Sequence, residues 1–463
     1  MRKTFAFAIL LLCLRPAQAQ QELGLVFLTH LAQAPTQANP ATFSDNRFNL
    51  VFPNIQAGFQ NSAFSLGDLL QANPEGGNSI VLDRALGLMS PTNNFLRSSL
   101  SINGVALSFQ LLNKVQLSFF QNTQVDFQLG YGKDLPELLW RGNAAFLGRT
   151  MEIGPAVNFL AFNEYGVGLA VKLHEKFTAG VNVKYLNGLV GIRTISSRLS
   201  MLTSEEYYQM NLQTDMVVRT GGLTDIFNDD EFLADTSTDG IINSGNSGIG
   251  LDIGMSIKVL PKLSVDLVMQ DVGKIYWSKN ALEQVSNGSF QYDGQEIRPF
   301  SDNPDEFDIA SSLDSVSSAL EFKATAKPFY TQLPQRFSFI GRYELNPRLV
   351  AGAAFHYESW NNINNLAVTA YLQKQIANLF YVGIMPGWHA RHSFMLGANA
   401  TLQLGPFQFF AITDNMLMLI DPINGQTTNF RAGFNIAFLR KKAPKTTPVS
   451  QSRNERYYFK GND

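Results

Sequence analysis

Few stretches of the chain hold residues whose types and spacing could do chemistry. Asp235-Thr236-Ser237-Thr238-Asp239-Gly240-Ile241-Ile242 has the oxygen spacing and turn glycine of a calcium loop, in which hard oxygen ligands surround the ion. Its twelfth position is Asn246 rather than a bidentate Glu, and Asp229, Asp230 and Glu231 lie upstream, so an acidic solvated loop accounts for the same residues. His389 and His392 flank Arg391 and read either as a metal pair or as ordinary loop residues. Gly245, Gly248 and Gly250 do not make a phosphate cradle, because no helix follows to cap an anion. There is no Gly-x-Ser-x-Gly elbow and no His-Glu-x-x-His, so no enzymatic activity and no cofactor is expected.

The other chemistry-bearing residues are single charges set into regular alternation: Asp126, Lys172, Lys184, Asp252, Lys258, Asp266, Arg342, Glu344 and Arg431. Mixed charges are costly in an apolar core but tolerable around water or a polar plug. Two roles stay open for them, a salt-bridge network that braces a wall and the lining of a solute path.

The elements that carry these charges have period two. Ile249, Leu251, Ile253, Met255, Ile257 and Val259 alternate with Gly250, Asp252, Gly254, Ser256 and Lys258. Val157 to Val171, Phe177 to Tyr185, Phe394 to Leu404 and Phe430 to Phe438 repeat the pattern, as do Val115 to Phe119 and Val125 to Tyr131 around a polar lapse at Gln121 to Thr123. Successive side chains of a strand point to opposite faces, so each segment has one apolar and one polar face. A soluble sandwich and a membrane barrel both use that pattern, but many segments reach the length of about ten residues that a tilted strand needs to cross a bilayer. Phe177 and Tyr185, eight residues apart on one apolar face, suit the two interfacial girdles of a barrel.

The ends of the chain and its composition agree. Arg2 and Lys3 precede the apolar run Phe5 to Leu12, and Ala17-Gln18-Ala19 offers a small-x-small cleavage site, so residues 1–19 read as an export leader. Cys13, the one cysteine, lies within it, which leaves no disulfide framework and no thiolate site. The formal net charge of −2 gives no basic field for nucleic acid.

Six tight junctions stand out: Asn113-Lys114, His174 to Lys176, Pro261-Lys262, Asn346-Pro347, Ile376 to Asn378 and Gly405-Pro406. If all lie on the periplasmic side, six hairpins plus a first strand near Phe48 to Phe59 and a last at Phe430 to Phe438 make fourteen. The expectation is an all-β transmembrane antiparallel barrel over 47–438. Residues 20–46 form a periplasmic or plug segment, 439–463 a flexible basic tail, and long outer loops carry short helices at Leu135 to Trp140 and Pro304 to Leu320. Tyr207 to Arg219 is strand-like but would spoil the count as a crossing. It is assigned to an outer excursion paired with the extended end of the strand beginning at Phe177.

ANPATF (Ala38 to Phe43), followed by FPNIQAGFQNSAFS (Phe52 to Ser65), resembles the start of Bacteroidota outer-membrane barrels grouped as a domain of unknown function. These in turn are similar to the FadL-like superfamily, which includes fatty acid transporters and the PorV secretion component. EYGVGLAVKLHEKFTAGVNVKYLNG (Glu164 to Gly188) resembles the family's central hairpin. The resemblance implies a Gram-negative outer-membrane location and passive transport of a hydrophobic or amphipathic small molecule. The alternative it carries is a non-conducting, PorV-like partner of secretion-machinery proteins. Outer-membrane lipid is a partner on either reading.

Overall fold

The computed structural model describes residues 24–44, 46–72, 77–111, 114–206, 208–222, 244–292, 320–361, 363–377, 379–389 and 393–440. The expected export leader, the tail beyond Arg440, the Asp235 loop and the helix expected at Pro304 to Leu320 fall outside these residues, Leu320 excepted.

Fourteen strands form one closed antiparallel ring. In chain order they are β1 (Asn46–Val51 continued by Asn54–Asn61), β2 (Asn94–Leu111), β3 (Val115–Tyr131), β4 (Ala156–His174), β5 (Phe177–Thr203), β6 (Ser247–Leu260) and β7 (Leu263–Trp277). There follow β8 (Gln335–Asn346), β9 (Leu349–Trp360), β10 (Ile363–Ile376), β11 (Phe380–His389), β12 (Ser393–Leu404), β13 (Phe407–Thr413) and β14 (Thr427–Arg440). Each strand pairs with the next, and β1 pairs with β14 through Phe48↔Phe438 and Ala57↔Phe430, which closes the wall. The six tight junctions all fall at one end, and the strand count is the one the junctions imply.

Burial runs opposite to that of a soluble protein. Along β6, Asp252 is 0% exposed while its neighbour Ile253 is 42% and Ile249 is 70% exposed. The same inversion holds across the ring: Asn182, Lys184, Asp266, Thr401 and Asn435 are buried, while Val167, Leu169, Val183, Val368 and Phe430 are exposed. Alternation places one set inward and the other outward, and a continuous apolar outer belt on a closed wall is the surface a bilayer solvates.

Three local departures from ideal strands matter. The first strand is two collinear pieces, because Pro53 has no N–H to give the ladder. In β2 the register slips between Asn103 and Ala106. In β7 both Gln270 and Asp271 stand opposite Asp252, since Leu251 pairs Val272 and Ile253 pairs Met269. That extra residue is a bulge, with Asp271 at φ 58, and it reverses which parity faces the lumen. Below it Asp266 and Val268 are buried; above it Ile275 and Trp277 are.

At the long-loop end the wall continues beyond the ring. β5 has 27 residues, roughly 90 Å at about 3.3 Å per residue. Its upper part pairs with Met210–Gly222, which pairs in turn with Leu282–Tyr292, so the Tyr207 to Arg219 segment is the excursion expected from the sequence. The short helix expected at Leu135 to Trp140 is present as Asp134–Arg141. In the loop after β1, burial works to raise the Asp68 carboxyl, but the backbone N–H and hydroxyl of Ser65, with Arg84 at 3.2 Å, outweigh it and hold the group below its ordinary value.

A charge on the outward face at mid-strand should be costly. Ile253→Arg is expected to lose about 2–4 kcal/mol of folding stability in lipid vesicles, whereas Leu260→Arg, at the tight-turn end, should lose less than about 1 kcal/mol. Guanidinium unfolding followed by tryptophan fluorescence measures both.

Candidate lumen site

The inward faces of strands β2 to β9 each contribute one charged residue to the middle of the lumen. In strand order they are Arg97, Asp126, Glu164, Lys184, Asp252, Asp271, Arg336 and Glu358. Lys184 is the hub of one side: its Nζ lies 2.9 Å from Asp252, 2.6 Å from Asp271 and 3.4 Å from Glu164. Asp271 passes the connection on by accepting from the Arg336 guanidinium, whose Nε is 3.1 Å away, and its own N–H donates to Asp252 at 2.9 Å. On the other side Arg97 pairs with Asp126 at 3.3 Å and with Glu358. β2 and β9 lie seven strands apart in a ring of fourteen, so the Arg97–Glu358 pair crosses the lumen. Arg97 also stacks its guanidinium over the Trp360 ring at 5.1 Å.

Five carboxylates thus share three cations, with Asn122 donating to Glu164 at 2.5 Å and Asn182 to Asp252 at 3.2 Å. Removing charges from water costs several kcal/mol per ion unless each is paired and its lone pairs are satisfied. The ring pairs every cation: Lys184 faces three carboxylates, Arg97 two carboxylates and the Trp360 ring, and Arg336 directs two N–H groups at Asp271. A cavity of about 50 Å³ lies at its centre, lined by Gln56, Arg97, Asp126, Asp271, Arg336 and Glu358 among others. That is room for a few ordered waters and for no larger solute.

Reading along single strands shows three layers. On β9, Ala354 lies toward the tight turns, Glu358 in the ring and Trp360 above it; on β7 the order is Val268, Asp271, Ile275 and Trp277. The upper layer is apolar: Leu160, Phe162, Leu186, Ile275, Trp277, Phe329, Leu333 and Trp360 form one buried cluster inside the wall. Trp277 donates to Thr331 at 3.0 Å and lies so close to β5 that a Cβ on Gly191 would come within 2.6 Å of its ring. The lower layer is the N-terminal segment. Leu25, Val26, Phe27, Leu28 and Leu31 form a cluster with Val268, Ile340, Tyr371, Met385 and Phe410, and the Phe27 ring stacks on Tyr371 at 4.3 Å.

Polar contacts fix this segment to the wall at both ends. Gly24 N–H donates to Asp414 at 2.8 Å, Ala32 N–H to Gln408 at 3.0 Å and Ser44 N–H to Gln116 at 3.0 Å. Asn39 donates to Asp266 at 3.1 Å, and Arg431 to Gln37 at 2.5 Å. Pro40 passes over β5 where a Cβ on Gly180 would lie 2.3 Å from its backbone.

A model of a family described as "Family of unknown function (DUF5723)" matches residues 40–414, most of the chain. The chain belongs to this family. No curated protein matches it. Solved structures of similar outline include the Pseudomonas putida toluene transporter TodX, at 7% identity and TM-score 0.42 over 88% of this chain and 95% of that one. A Pseudomonas aeruginosa FadL homologue gives 11% and 0.41 over 88% and 94%. A TodX deletion mutant described as a monoaromatic hydrocarbon channel gives 8% and 0.44 over 92% and 96%. At these identities no residue role carries across.

In this DUF5723 barrel the charges singled out from the sequence separate into three groups. Asp126, Lys184 and Asp252 join the mid-lumen ring. Asp266, Arg342 and Arg431 hold the N-terminal segment instead: Arg342 pairs with Asp266 and donates to the Val26 carbonyl at 3.2 Å. Lys172 lies 4.2 Å over the Phe43 ring, on the same segment. Lys258 and Glu344 are exposed at the tight-turn rim and take no part in the ring, because their strands end two residues later. His389 closes β11 and His392 lies outside the described residues, among which no cluster is arranged to hold a metal ion.

Sequence reasoning missed five ring members. Arg336 and Glu358 lie on the parity already set by Arg342 and by the burial pattern of β9, so extending those registers finds them. Glu164 was on the polar face but not singled out. Arg97 sits just inside a strand whose first residues lack the alternation of the segments read from the sequence, and Asp271 is invisible to period two because the bulge creates its position.

Lys184→Met leaves three carboxylates without their shared cation and should cost about 3–5 kcal/mol, with much of the loss recovered in Lys184→Met/Asp252→Leu; guanidinium unfolding in vesicles reads both. Gly180→Val should push the N-terminal segment from the wall while the barrel stays folded, seen as new protease cleavage within residues 24–44 alongside unchanged heat-modifiable migration on a gel.

Proposed function

We propose that this protein is an outer-membrane barrel that admits a hydrophobic or amphipathic small molecule through its long-loop mouth into the upper lumen and releases it past the N-terminal segment, which acts as a plug. The observation that carries this reading is the inward-facing apolar layer around Trp277 and Trp360, above the ionic ring. A pore for water-soluble solutes gains nothing from eight large apolar or aromatic positions turned inward, whereas an apolar guest gains roughly 25 cal/mol for each Å² it removes from water there. The ring beneath supplies a polar floor, so a guest with a polar end has a place for each part. Export to the outer membrane follows from the leader expected at the N-terminus and from the barrel itself, since closed barrels with long loops on one side are the outer-membrane form.

A second reading is favoured by one observation. Among the described residues the N-terminal segment packs against the inner wall and Arg97–Glu358 spans the lumen, beside a cavity of only about 50 Å³. A lumen narrowed in this way also suits a non-conducting component of a secretion or surface-assembly complex, docking partners on its long loops.

The chain has four tryptophans, and Trp140 and Trp388 lie outside the apolar layer. In a Trp140→Phe/Trp388→Phe background, a brominated single-chain amphiphile should quench the remaining emission, and Trp277→Arg should abolish uptake of a fluorescent amphiphile into vesicles. Unquenched emission with unchanged uptake overturns the carrier reading. Co-purification of the wild-type protein in a larger translocon, with no amphiphile bound, supports the second.

A further inference from the structure

The tight-turn rim carries charge that the fold leaves unmatched. Arg47, Lys114, Lys176, Lys262, Arg348 and Lys374 are all exposed there, and none forms an ion pair among the described residues. The described carboxylates that share this rim are Glu175 and Glu344. At the opposite end both signs occur among the described residues and several of the charges are paired, as in Arg141–Asp83 at 2.5 Å, Arg149–Asp134 at 2.6 Å and Lys327–Glu283 at 2.5 Å. An excess of one sign that no protein group balances is a surface suited to a partner of the other sign.

The position of these cations says which partner. Leu111 precedes Lys114, Leu173 precedes Lys176, Leu260 precedes Lys262 and Leu345 precedes Arg348, each by at most three residues, and all four leucines are exposed on the outer belt. Lys374 stands on the outward face itself, between the exposed Leu372 and Ile376. Three residues of strand cover about 10 Å, so the cationic heads stand where the apolar band gives way to headgroups, their stems lying along it. They are distributed from β1 to β10 around the wall and do not converge on one point. A single soluble anion would meet one or two of them, whereas a layer of lipid meets all.

We propose that this rim binds the anionic phospholipid headgroups of the leaflet it faces, with lipid phosphodiesters taking the place of the missing carboxylates. The binding is an annular one: each cation recruits a lipid beside the wall, and the arc as a whole fixes the depth and tilt of the barrel. It depends on the placement of the belt in lipid and is independent of what the lumen carries.

The full-length protein is reconstituted into phosphatidylcholine vesicles with spin-labelled phosphatidylglycerol or spin-labelled phosphatidylcholine, and the wall-immobilised fraction is read by electron paramagnetic resonance. Phosphatidylglycerol should be preferred by about fivefold at low salt, the ratio that follows from one basic side chain at a charged lipid surface, and the preference should fall as salt is added. The variant Lys176→Gln/Lys262→Gln/Arg348→Gln/Lys374→Gln should bring the two lipids to parity while keeping heat-modifiable migration. A variant with Lys441→Gln, Lys442→Gln and Lys445→Gln should keep the preference. Parity in the wild-type protein, a preference unmoved by the rim substitutions, or one lost with the tail substitutions alone overturns the proposal.

Discussion

Hydrocarbon offers no hydrogen bonds, and that constraint orders the whole molecule. Each backbone N–H and C=O within the bilayer needs a partner in the protein, so a wall of strands is stable there only if it has no edge. Here the condition is met by pairing the first strand with the last, with β14 running past the break at Pro53 to pair with both pieces of β1. Once the wall is closed, its outer side must be apolar across the hydrocarbon, and the polar side chains at mid-strand are sent inward, outward charge being left to the rim, as at Lys374. The lumen is therefore polar by default, and what needs explaining is where it is not.

Two departures from that default define the interior. The apolar layer around Trp277 and the apolar half of the N-terminal segment are both greasy surfaces turned away from lipid, and they lie on either side of the ionic ring. The ring is the boundary that keeps them apart. Its charges cannot move into either layer without losing partners, which fixes its height, and Arg97–Glu358 ties opposite walls, which fixes the local width. The wall, the N-terminal segment and the ring thus constrain one another: the bulge at Asp271 both completes the ring and turns Ile275 and Trp277 inward.

The architecture was legible in the sequence because lipid enforces alternation strictly. Ile249 to Val259 or Phe430 to Phe438 leave no doubt about which face is which, and the glycine, proline and lysine turns give the strand count. The site was legible only where alternation stays in phase. Lys184 and Asp252 follow from their neighbours, but Asp271 owes its inward direction to one extra residue opposite Asp252, a feature with no signature in local composition. Arg97 was lost for a different reason: the strand that holds it begins with Asn94-Phe95-Leu96, which resembles the loop before it more than the belt after it. Nor does period two say how far a strand outlasts the membrane. Lys258 and Glu344 have the right parity, and they miss the ring because they are too near the turn.

The N-terminal segment is the first described stretch of the chain, yet its partners are spread from Gln116 on β3 to Arg431 on β14. With anchors on strands so far apart in the sequence, the segment works as an inner strap that ties early and late parts of the wall to one another. Its hold is divided among many modest contacts, so the loss of any one of them leaves the others in place.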